Sequence, residues 1–337
     1  MSLHPYLERI TSRENLSREE ALGAMRAILG GEASQPQIAA FLVGLRMKGE
    51  TVDELVGFAC AMRQMAVPVD ARFPGEPLLD TCGTGGDGAA TFNISTVAAF
   101  VVAGAGVRVA KHGNRSISSR CGSADLLEAM GIDIALPPAA AARAIREIGI
   151  GFLYAPGIHT AMRHAQPVRV DLRMRTVFNL LGPLTNPAGA DAQLAGAPSP
   201  HAAGLIASAL AALGLRRGFV VHGSDGLDEI TTTGPTLAFS IDGARVERLS
   251  LAPADFGVPA APAEALKGGD KSRNAAIANA VLAGCPGPQR EVVLVNASAA
   301  LVAAGKARDF LEGVRLAAQS IDSGAAQAKA EALARFR

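Results

Sequence analysis

A short apolar strand, a glycine-rich loop and an apolar helix follow one another between residues 77 and 105. The loop, residues 80–88, reads DTCGTGGDG and has four glycines within six consecutive positions. Glycine adopts backbone conformations closed to other residues, so this loop can turn its N–H groups inward as a nest for an anion. Asn93, Ser95 and Thr96 open the helix and add polar donors at its positive end. The unit predicts a phosphate site. A plain connector with a helix cap would explain the glycines but not these side chains.

Short apolar strands and alanine-rich helices continue to alternate after this unit. Such alternation argues for an α/β fold with a central, mainly parallel sheet surrounded by helices. Ligands of these sheets bind outside the carboxyl ends of the strands, which is where the glycine loop lies. The predicted strands are 77–79, 107–110, 151–154, 193–196, 219–222 and 292–295, and the predicted helices are 124–130, 138–147, 202–213, 274–282 and an amphipathic helix from 325.

The first 65 residues predict helices only. Three sites match a capping box, the third more weakly: Ser17 with Glu20, Thr51 with Glu54, and Ser34 with Gln37. The segment 39–45 is apolar on nearly all sides, which indicates contact with a second chain or with the larger domain. Because three short helices cannot bury it internally, we expect Phe41, Leu42 and Leu45 to centre a self-association surface.

Composition excludes several classes of protein. Apolar residues make up 49% and charged residues 19% of the 337 positions, as in a folded globular chain. The net charge of +1 and the lack of a Lys/Arg-rich block argue against a general nucleic-acid footprint. No run of 18 apolar residues occurs and the N-terminus is charged, so we expect neither a membrane span nor a secretion signal. The four cysteines form no CxxC pair, which favours thiols in a reducing cytoplasm over zinc or disulfides.

A second polar loop follows the strand predicted at 107–110. It runs from Lys111 to Ser119 as KHGNRSISS, and the sequence CGSAD then enters another helix. Cations, a glycine and hydroxyl groups together suit a ligand rich in oxyanions. By itself the segment could equally be a solvated turn. Beside the glycine loop, it indicates a ligand with more than one phosphate group.

Three carboxylates follow the strand predicted at 219–222. They are Asp225, Asp228 and Glu229, and no basic residue stands among them. Acidic residues at a strand end are often merely solvated. Next to phosphate loops, however, paired carboxylates are what Mg²⁺ needs, because this ion bridges protein and phosphate oxygens. With no His/Cys cluster in the sequence, a hard, oxygen-binding ion is the only metal we expect.

A fourth segment comprises residues 159–164, then Arg169 and the apolar run RTVFNLLGPLTNP at residues 175–187. Arg163, Arg169 and Arg175 lie beside this apolar run and could grip a carboxylate on an otherwise apolar ligand. Ordinary surface arginines and a helix end at Gly182 explain the composition equally well. The histidines 112, 159 and 164 are, from sequence, more often packing or capping residues than catalysts.

Taken together, the four segments resemble the anthranilate phosphoribosyltransferase family of tryptophan biosynthesis, within the nucleoside phosphorylase and phosphoribosyltransferase class III superfamily. GTGGDG with FNIST, KHGNRS with GSAD, RTVFNLLGPLTNP and HGSDGLDE occur in the family's order along nearly the whole chain. The resemblance implies transfer of the 5-phosphoribosyl group of phosphoribosyl pyrophosphate (PRPP) to the amine of anthranilate. The products are N-(5-phosphoribosyl)anthranilate and pyrophosphate, and the cofactor is Mg²⁺.

The resemblance also implies an architecture. A small helical domain, residues 1–72, is joined by a return segment near 168–190 to a large α/β domain, residues 73–337, which binds PRPP and magnesium. The resemblance implies a homodimer through the helical domain, and the cysteine pattern predicts a cytoplasmic location. No nucleic-acid or membrane partner is implied.

Site residues follow by motif position. The resemblance implies magnesium ligands Ser95, Asp228 and Glu229, and anthranilate contacts Gly83, Asn114 and Arg169. It implies no single acid, base or nucleophile. The implied PRPP-binding residues are Gly83, Gly86, Asp87, Thr91, Asn93, Ile94, Ser95, Thr96, Lys111, His112, Gly113, Asn114, Arg115, Ser116, Ile117, Ser118, Ser119 and Ser123.

One departure from the family pattern concerns the acceptor channel. Family members commonly have a second arginine after Arg169 and a glycine near position 173, where this chain has Val170 and Arg173. Two rival readings also stay open: a pyrimidine nucleoside phosphorylase of the same general fold, and a catalytically silent homologue that senses polyphosphates. A phosphorylase would leave the Asp228–Glu229 pair with little to do, and a sensor would not need an acceptor site.

Overall fold

A computed structural model describes residues 3–86, 88–116 and 120–337. Four short 3₁₀ helices lie among the other elements of this part of the chain, at Thr160–His164, Gly182–Leu184, Pro253–Phe256 and Ala263–Leu266. The strands are β1 Leu78–Asp80, β2 Arg108–Gly113, β3 Ile150–Tyr154, β4 Ala192–Gly196, β5 Arg217–Gly223, β6 Thr236–Asp242 and β7 Arg245–Leu251. The α-helices are α1 His4–Thr11, α2 Arg18–Leu29, α3 Gln35–Lys48, α4 Val52–Met65, α5 Ile94–Gly104, α6 Ser123–Ala129, α7 Pro138–Ile148, α8 Ala155–Ile158, α9 Gln166–Leu172, α10 Phe178–Leu181, α11 Pro200–Ala212, α12 Lys271–Leu282, α13 Pro288–Ala303, α14 Phe310–Asp322 and α15 Ala325–Arg335.

The strands form one seven-stranded sheet in the order β3-β2-β1-β4-β5-β6-β7. The pairings from β3 to β5 are parallel, whereas β6 and β7 are antiparallel, so the predicted α/β fold with a mainly parallel sheet is confirmed. The chain runs from β1 outward to β2 and β3, then returns to place β4 on the other side of β1. Ligands of open α/β sheets bind at such a reversal, beyond the carboxyl ends of the strands. Here the reversal leaves a crevice between β1 and β4.

Most predicted elements are present, but the strand predicted at 292–295 is wrong. These residues lie inside α13, where Val292, Val293 and Val295 are all fully buried. A short apolar run cannot distinguish a buried strand from a buried helix. The length of the helix, sixteen residues beginning at Pro288, is the signal that decides. The hairpin of β6 and β7 was not anticipated, although Asp242-Gly243 at its turn is a hairpin signal.

The N-terminal segment forms a bundle of four helices rather than three, because α1 precedes the expected ones. The capping boxes at Ser17 and Thr51 are confirmed, since in each the side chains of the first and fourth residues bond each other's backbone N–H. At the weaker site, Gln37 Oε1 accepts the Ser34 N–H at 3.0 Å. Among the described residues, no helix is both long and apolar enough to cross a membrane.

The apolar segment of α3 is buried within the chain itself. Phe41, Leu42 and Leu45 are each 0% exposed. The helix packs against α1 and α9, and the Phe41 ring meets the edge of Phe58 at 6.0 Å between centroids. These three side chains therefore cannot centre a surface for a second chain, and that expectation is wrong. The expectation did not take into account that α1 and α9 pack against α3 and cover these side chains.

Helices cover both faces of the sheet. The helical bundle and α11 pack on one face, with α4 against α11, and share one hydrophobic core with residues of α9 and α10. On the other face α5, α14 and α15 pack with the buried helix α13 and form a second core. This arrangement leaves the carboxyl ends of the strands uncovered by these layers, and the polar loops lie there.

Candidate active site

The glycine loop leaves the carboxyl end of β1 beside β4. Gly85 and Gly86 have φ angles of +64° and +74°, in the left-handed region that favours glycine. At Gly83 the constraint is space, because an added Cβ would lie 3.0 Å from Asp228 Oδ2. Asp87, one of the predicted PRPP-binding residues, lies outside the described residues. The glycines are thus explained by the path of the backbone and by its close approach to a carboxylate.

Arg175 braces this loop from the segment that returns to the helical bundle. Its Nη1 donates hydrogen bonds to the carbonyl oxygens of Gly85 at 3.0 Å and Gly86 at 2.8 Å. From sequence, this arginine was expected to bind a carboxylate of the ligand and not to contact the glycine loop. Its sequence distance from the loop hid the contact, since only the fold brings residue 175 to residue 85.

Asp228 and Glu229 meet N–H groups from the glycine loop and from α5. Asp228 Oδ2 accepts the Gly85 N–H at 2.7 Å, and Glu229 Oε1 accepts the Ser95 N–H at 3.1 Å. Burial raises the pKa of the Glu229 carboxyl, the charge of Asp228 raises it further, and Lys111 opposes the shift. The three predicted magnesium ligands therefore come together. They offer only oxygen donors, and a divalent cation would relieve the repulsion between these two adjacent half-buried acids.

The third carboxylate of this loop has a different partner set. Asp225 Oδ2 accepts hydrogen bonds from the hydroxyls of Thr231 and Thr233, each at 2.7 Å. Its Oδ1 accepts the Leu227 N–H at 3.2 Å. Asp225 thus holds together the loop that carries Asp228. Of the three acids, Asp225 stabilises this loop, whereas Asp228 and Glu229 contact the glycine loop and α5.

A buried polar network joins β1, β2 and the segment after α10. Lys111 Nζ lies 3.1 Å from both the carbonyl and the hydroxyl oxygen of Thr81. Asp80 Oδ1 accepts the His112 N–H at 3.1 Å, and its Oδ2 accepts Asn186 Nδ2 at 2.7 Å. Burial raises the pKa of Asp80 to about 6, and the hydrogen bond from Asn186 and the charge of Lys111 oppose that rise. The roles of Asp80 and Asn186 were not predicted, because a buried Asp–Asn pair 106 residues apart leaves no local pattern.

Two histidines face each other beside this network. The ring centroids of His112 and His159 lie 5.2 Å apart, and His112 Nδ1 is 3.2 Å from the Gly182 carbonyl oxygen. Burial lowers the pKa of His112 to about 3 and that of His159 to about 4, so both rings are neutral at pH 7. Within the described residues, Nε2 of each ring is buried and lacks a hydrogen-bond partner. Buried polar atoms without partners mark a place for a ligand or water.

The start of α5 differs from a simple capped helix. Asn93 stands at the cap position, but its Nδ2 donates to the Cys121 carbonyl oxygen and its Oδ1 accepts from Asn274 Nδ2, each at 3.0 Å. Ile94 and Thr96 are each 1% exposed, so these predicted PRPP contacts offer a ligand backbone groups rather than side chains. The Asn93 amide joins the glycine-loop helix to the second polar loop.

The second polar loop is held mainly by α6. Arg115 donates to Asp125 Oδ1 at 2.8 Å and to Glu128 Oε1 at 2.9 Å, which turns its guanidinium toward that helix. The Ser116 N–H also donates to Asp125 Oδ2. Residues 117–119, all predicted to bind PRPP, lie outside the described residues.

Close packing surrounds the remaining predicted residues of this loop. Asn114 Oδ1 accepts the N–H of the next residue at 2.8 Å, and its carbonyl oxygen accepts the Ser123 hydroxyl at 3.2 Å. A Cβ at Gly113 would overlap the Ser123 hydroxyl and the ring of Phe152. At the end of the glycine-loop segment, Thr91 forms a bridge to Lys267.

Arg169 lies on α9, where the helical bundle meets the α/β part. Its Nη1 is 3.3 Å from Gln166 Oε1, and the guanidinium lies 5.2 Å from the centre of the Phe178 ring. Burial lowers the pKa of Arg169. Val170 is 59% exposed, and Arg173 ends α9 in the left-handed conformation with φ +47°. A half-buried arginine over an aromatic ring keeps donors available for an anionic partner.

Comparison with known proteins connects this geometry to a family. Residues 4–66 match the helical bundle domain and residues 75–327 the α/β domain of a glycosyl transferase family. The anthranilate phosphoribosyltransferase of Solibacter usitatus is 70% identical over 336 residues, which cover 100% of this chain and 99% of the relative. The chain belongs to the anthranilate phosphoribosyltransferase family. It is therefore a phosphoribosyltransferase of tryptophan biosynthesis, a pentosyltransferase among the glycosyltransferases.

Solved anthranilate phosphoribosyltransferases share the whole fold. The crystal structure of the Thermus thermophilus protein superposes with a TM-score of 0.93 at 46% identity, covering 98% of each chain. The Saccharomyces cerevisiae protein, in complex with PRPP and Mg, gives a TM-score of 0.88 at 28% identity over 98% of this chain and 96% of that one. The yeast protein has also been solved with 4-fluoroanthranilate. This family therefore includes a member whose structures contain PRPP, magnesium and an analogue of the acceptor.

Proposed function

We propose that this chain transfers the 5-phosphoribosyl group of PRPP to the amine of anthranilate and releases pyrophosphate, with Mg²⁺ as cofactor. The observation that carries the proposal is the convergence of the glycine loop, Ser95 and the Asp228–Glu229 pair at the crevice between β1 and β4. A loop rich in N–H groups beside paired carboxylates suits a magnesium-bound polyphosphate. The yeast relative solved with PRPP and Mg supports the same assignment.

Ser95, Asp228 and Glu229 would hold the magnesium ion. All three offer oxygen donors, which Mg²⁺ prefers. When bound, the ion neutralises negative charge that grows on the departing pyrophosphate. Both carboxylates now accept N–H groups, from Gly85 and from Ser95, so the cradle and the metal ligands belong to one hydrogen-bonded unit.

PRPP would lie along the two polar loops. Glycine-loop N–H groups and the N-terminus of α5 bind phosphate oxygens, as helix ends and glycine nests do elsewhere. Lys111 is 4% exposed and contacts Thr81 at the start of the glycine loop, from where its ammonium stabilises the leaving group. We retain the implied PRPP contacts of both loops, including those outside the described residues. Arg115 is the weakest of them, because its guanidinium already pairs with Asp125 and Glu128.

We propose that the acceptor occupies a pocket beside the neutral His112–His159 pair, next to these loops. Arg169 would bind the anthranilate carboxylate through its planar donors, and Asn114 and Gly83 would line the same pocket. Because His112 Nδ1 faces the Gly182 carbonyl oxygen, the ring proton resides there and Nε2 is an acceptor. We propose that an amine N–H of anthranilate donates to this acceptor, which would leave the nitrogen lone pair directed toward the sugar.

The chemistry then needs positioning more than a strong base. Breakage of the C1–pyrophosphate bond builds positive charge on the ribose, as in glycoside cleavage. The cradle stabilises the charge that leaves, and the acceptor pocket holds a neutral amine in line with C1. Burial and the charge of Asp80 raise the pKa of the Cys82 thiol, so this buried cysteine is disfavoured as a nucleophile. We therefore propose a direct transfer without a covalent intermediate.

The test is loss of anthranilate fluorescence on mixing the chain with PRPP, Mg²⁺ and anthranilate. We expect the loss to require all three, with release of one pyrophosphate per anthranilate consumed. A pyrimidine nucleoside phosphorylase would instead release base from a nucleoside and inorganic phosphate without PRPP. A sensor would bind PRPP with no loss of fluorescence. Either result would contradict the proposal.

We further propose a helical domain of residues 1–72, completed by a return segment near 168–190, and a homodimer through that domain. Residues of α9 and α10 share the hydrophobic core of the bundle, which supports this division. Since Phe41, Leu42 and Leu45 are internal, we propose that the dimer surface uses exposed apolar residues of α3 and α9 instead. Met47 and Val170 are 72% and 59% exposed on these two helices.

Met47→Glu tests this assignment of the dimer surface. A charge on each copy should shift light scattering at micromolar concentration from dimer to monomer, because an isologous interface contains the residue twice. Leu311→Glu, at a comparably exposed apolar residue of α14, is the control and should leave the dimer intact. A wild-type chain that is monomeric at this concentration would contradict the proposal.

A further inference from the structure

A single asparagine is buried inside the apolar helix α13, directly behind the carboxylate segment. Asn296 is 0% exposed, and the helix around it packs against α5, β4 and β5. Its neighbours in the helix are mainly valine, alanine and leucine. A buried carboxamide without hydrogen bonds is strongly unfavourable, so the partners of this side chain explain its presence among apolar residues.

The Asn296 amide pairs both backbone groups of one residue. Oδ1 accepts the Ile230 N–H at 3.0 Å, and Nδ2 donates to the Ile230 carbonyl oxygen at 2.8 Å. Nδ2 also donates to the Val292 carbonyl oxygen, one helical turn earlier, at 2.8 Å. The third contact fixes the amide to its own helix. The first two therefore hold the backbone of Ile230, which is 1% exposed, to α13.

Ile230 directly follows Glu229, so this clamp acts on the carboxylate segment. The other side of the segment is held by Gly196, where an added Cβ would lie 1.5 Å from the Asp228 carbonyl oxygen. Close packing against Gly196 restrains Asp228, and Asn296 restrains the residue after Glu229. Because α13 also packs against α5, the same helix supports the element that carries Ser95.

We propose that Asn296 is a positioning residue for the divalent-cation site, acting through the backbone of Ile230 on Glu229 and Asp228. The inference rests on the proposed function and deepens it. Asn296 does not touch the cation or the substrates. Partners that orient metal ligands in this way typically change metal affinity ten- to a hundredfold when they are replaced. Loss of a buried hydrogen bond lowers the stability of the fold but does not by itself weaken metal binding. A loss of metal affinity therefore distinguishes a positioning role from simple stabilisation of the fold.

The experiment measures Mn²⁺ binding by electron paramagnetic resonance with the full chain and PRPP, because Mn²⁺ accepts the same oxygen ligands as Mg²⁺. Asn296→Leu removes all three hydrogen bonds and keeps the branching and the number of heavy atoms of the side chain. Asn296→Ser is the milder variant, because its hydroxyl can still pair with one backbone group. Ser298→Ala is the matched control: Ser298 is 0% exposed on the same helix, and its hydroxyl donates to the Phe310 carbonyl oxygen at 2.7 Å.

We expect each folded Asn296 variant to bind Mn²⁺ roughly tenfold or more weakly than wild type. Ser298→Ala should lower the melting temperature but leave the Mn²⁺ affinity within twofold. If Asn296→Leu does not fold, Asn296→Ser decides the matter. An Asn296→Ser affinity equal to that of Ser298→Ala, while Asp228→Asn abolishes binding, would overturn the role of Asn296 alone. Unchanged binding in Asp228→Asn would instead overturn the proposed metal site.

Discussion

The crevice between β1 and β4 and the proposed acceptor pocket around His112 lie at neighbouring strand ends but differ in charge. In the crevice, Asp228 and Glu229 meet glycine-loop and helix N–H groups, with Lys111 close enough to oppose the rise in the Glu229 pKa. In the pocket, His112 and His159 are held neutral by burial. A departing pyrophosphate needs compensating charge, whereas an attacking amine must stay unprotonated beside a sugar that becomes positive. The difference between the two regions therefore matches the two halves of the proposed reaction.

The largest expected effect is on the charged half. Asp228→Asn and Glu229→Gln should each lower kcat by about 100- to 1000-fold, because a lost metal ligand removes stabilisation of the leaving group. The fold should persist, as judged by circular dichroism and the melting temperature. The measurement is turnover across a Mg²⁺ titration at saturating PRPP and anthranilate.

A surface acid provides the control for these variants. Asp242→Asn, at an exposed position at the end of β6, should leave turnover unchanged. If both carboxylate variants kept wild-type turnover at limiting Mg²⁺, the charged half would not be the metal site.

Arg169 tests the acceptor half and should have the next largest effect. Loss of a charge-assisted contact of roughly 1.5–3 kcal/mol corresponds to about ten- to a hundredfold in kcat/KM. Arg169→Ala should therefore raise the KM for anthranilate far more than the KM for PRPP. Arg169→Lys should rescue poorly, because lysine lacks the planar pair of donors.

Two outcomes would change the assignment of Arg169. Equal effects on both substrates would indicate a structural role where α9 joins the helical bundle. An unchanged KM for anthranilate in Arg169→Ala, with a raised one in Arg173→Ala, would transfer the carboxylate contact to Arg173.

The glycine loop should show a smaller effect, confined to PRPP. Gly86→Ala must keep a φ of +74° with a side chain present, which costs about 1–2 kcal/mol, or let the loop move. We expect PRPP affinity, measured by calorimetry, to fall about five- to thirtyfold. Gly131→Ala, at a φ of +78° in open space away from the loop, controls for strain alone. Unchanged PRPP binding in Gly86→Ala would contradict the phosphate cradle.

The smallest expected effect is a pH dependence of the free energy of unfolding, caused by the buried neutral ring of His159. The pKa of His159 is lowered to about 4 in the folded chain, so between pH 4 and about 6.5 the unfolded chain binds more protons. This histidine therefore contributes stability that is present above about pH 6.5 and is lost as the pH falls. His159→Gln should reduce the slope of the free energy of unfolding by up to about 1.4 kcal/mol per pH unit.

Urea unfolding at a series of pH values from 4.5 to 7 measures that slope. His201→Gln, at an exposed position of α11, should leave it unchanged. A His159→Gln slope equal to that of wild type would show that the pocket does not hold this ring neutral.

Local patterns predicted the elements whose cause is local. The glycine run, the capping boxes at Ser17 and Thr51, and the strand–helix alternation each depend on backbone conformation within a few residues, and the structure contains all of them. The grouping of Ser95, Asp228 and Glu229 was also within reach of the sequence. Motifs that follow parallel strands of one sheet lie at the same carboxyl edge, here after β1 and after β5 with β4 between them.

Only the tertiary structure decided the contacts between segments distant in sequence. Asn186 reaches Asp80 across 106 residues, and Asn296 reaches Ile230 across 66. The residues next to each asparagine in sequence do not reveal these distant partners. The run around Val292 was mistaken for a strand because apolar layers surround α13 on several sides, and such burial removes the one-sided periodicity that identifies a helix. Phe41 became internal for a related reason, because α9 returns to cover it. Local conformation follows from neighbouring residues, whereas burial and hydrogen-bond partners depend on which segments the fold brings together.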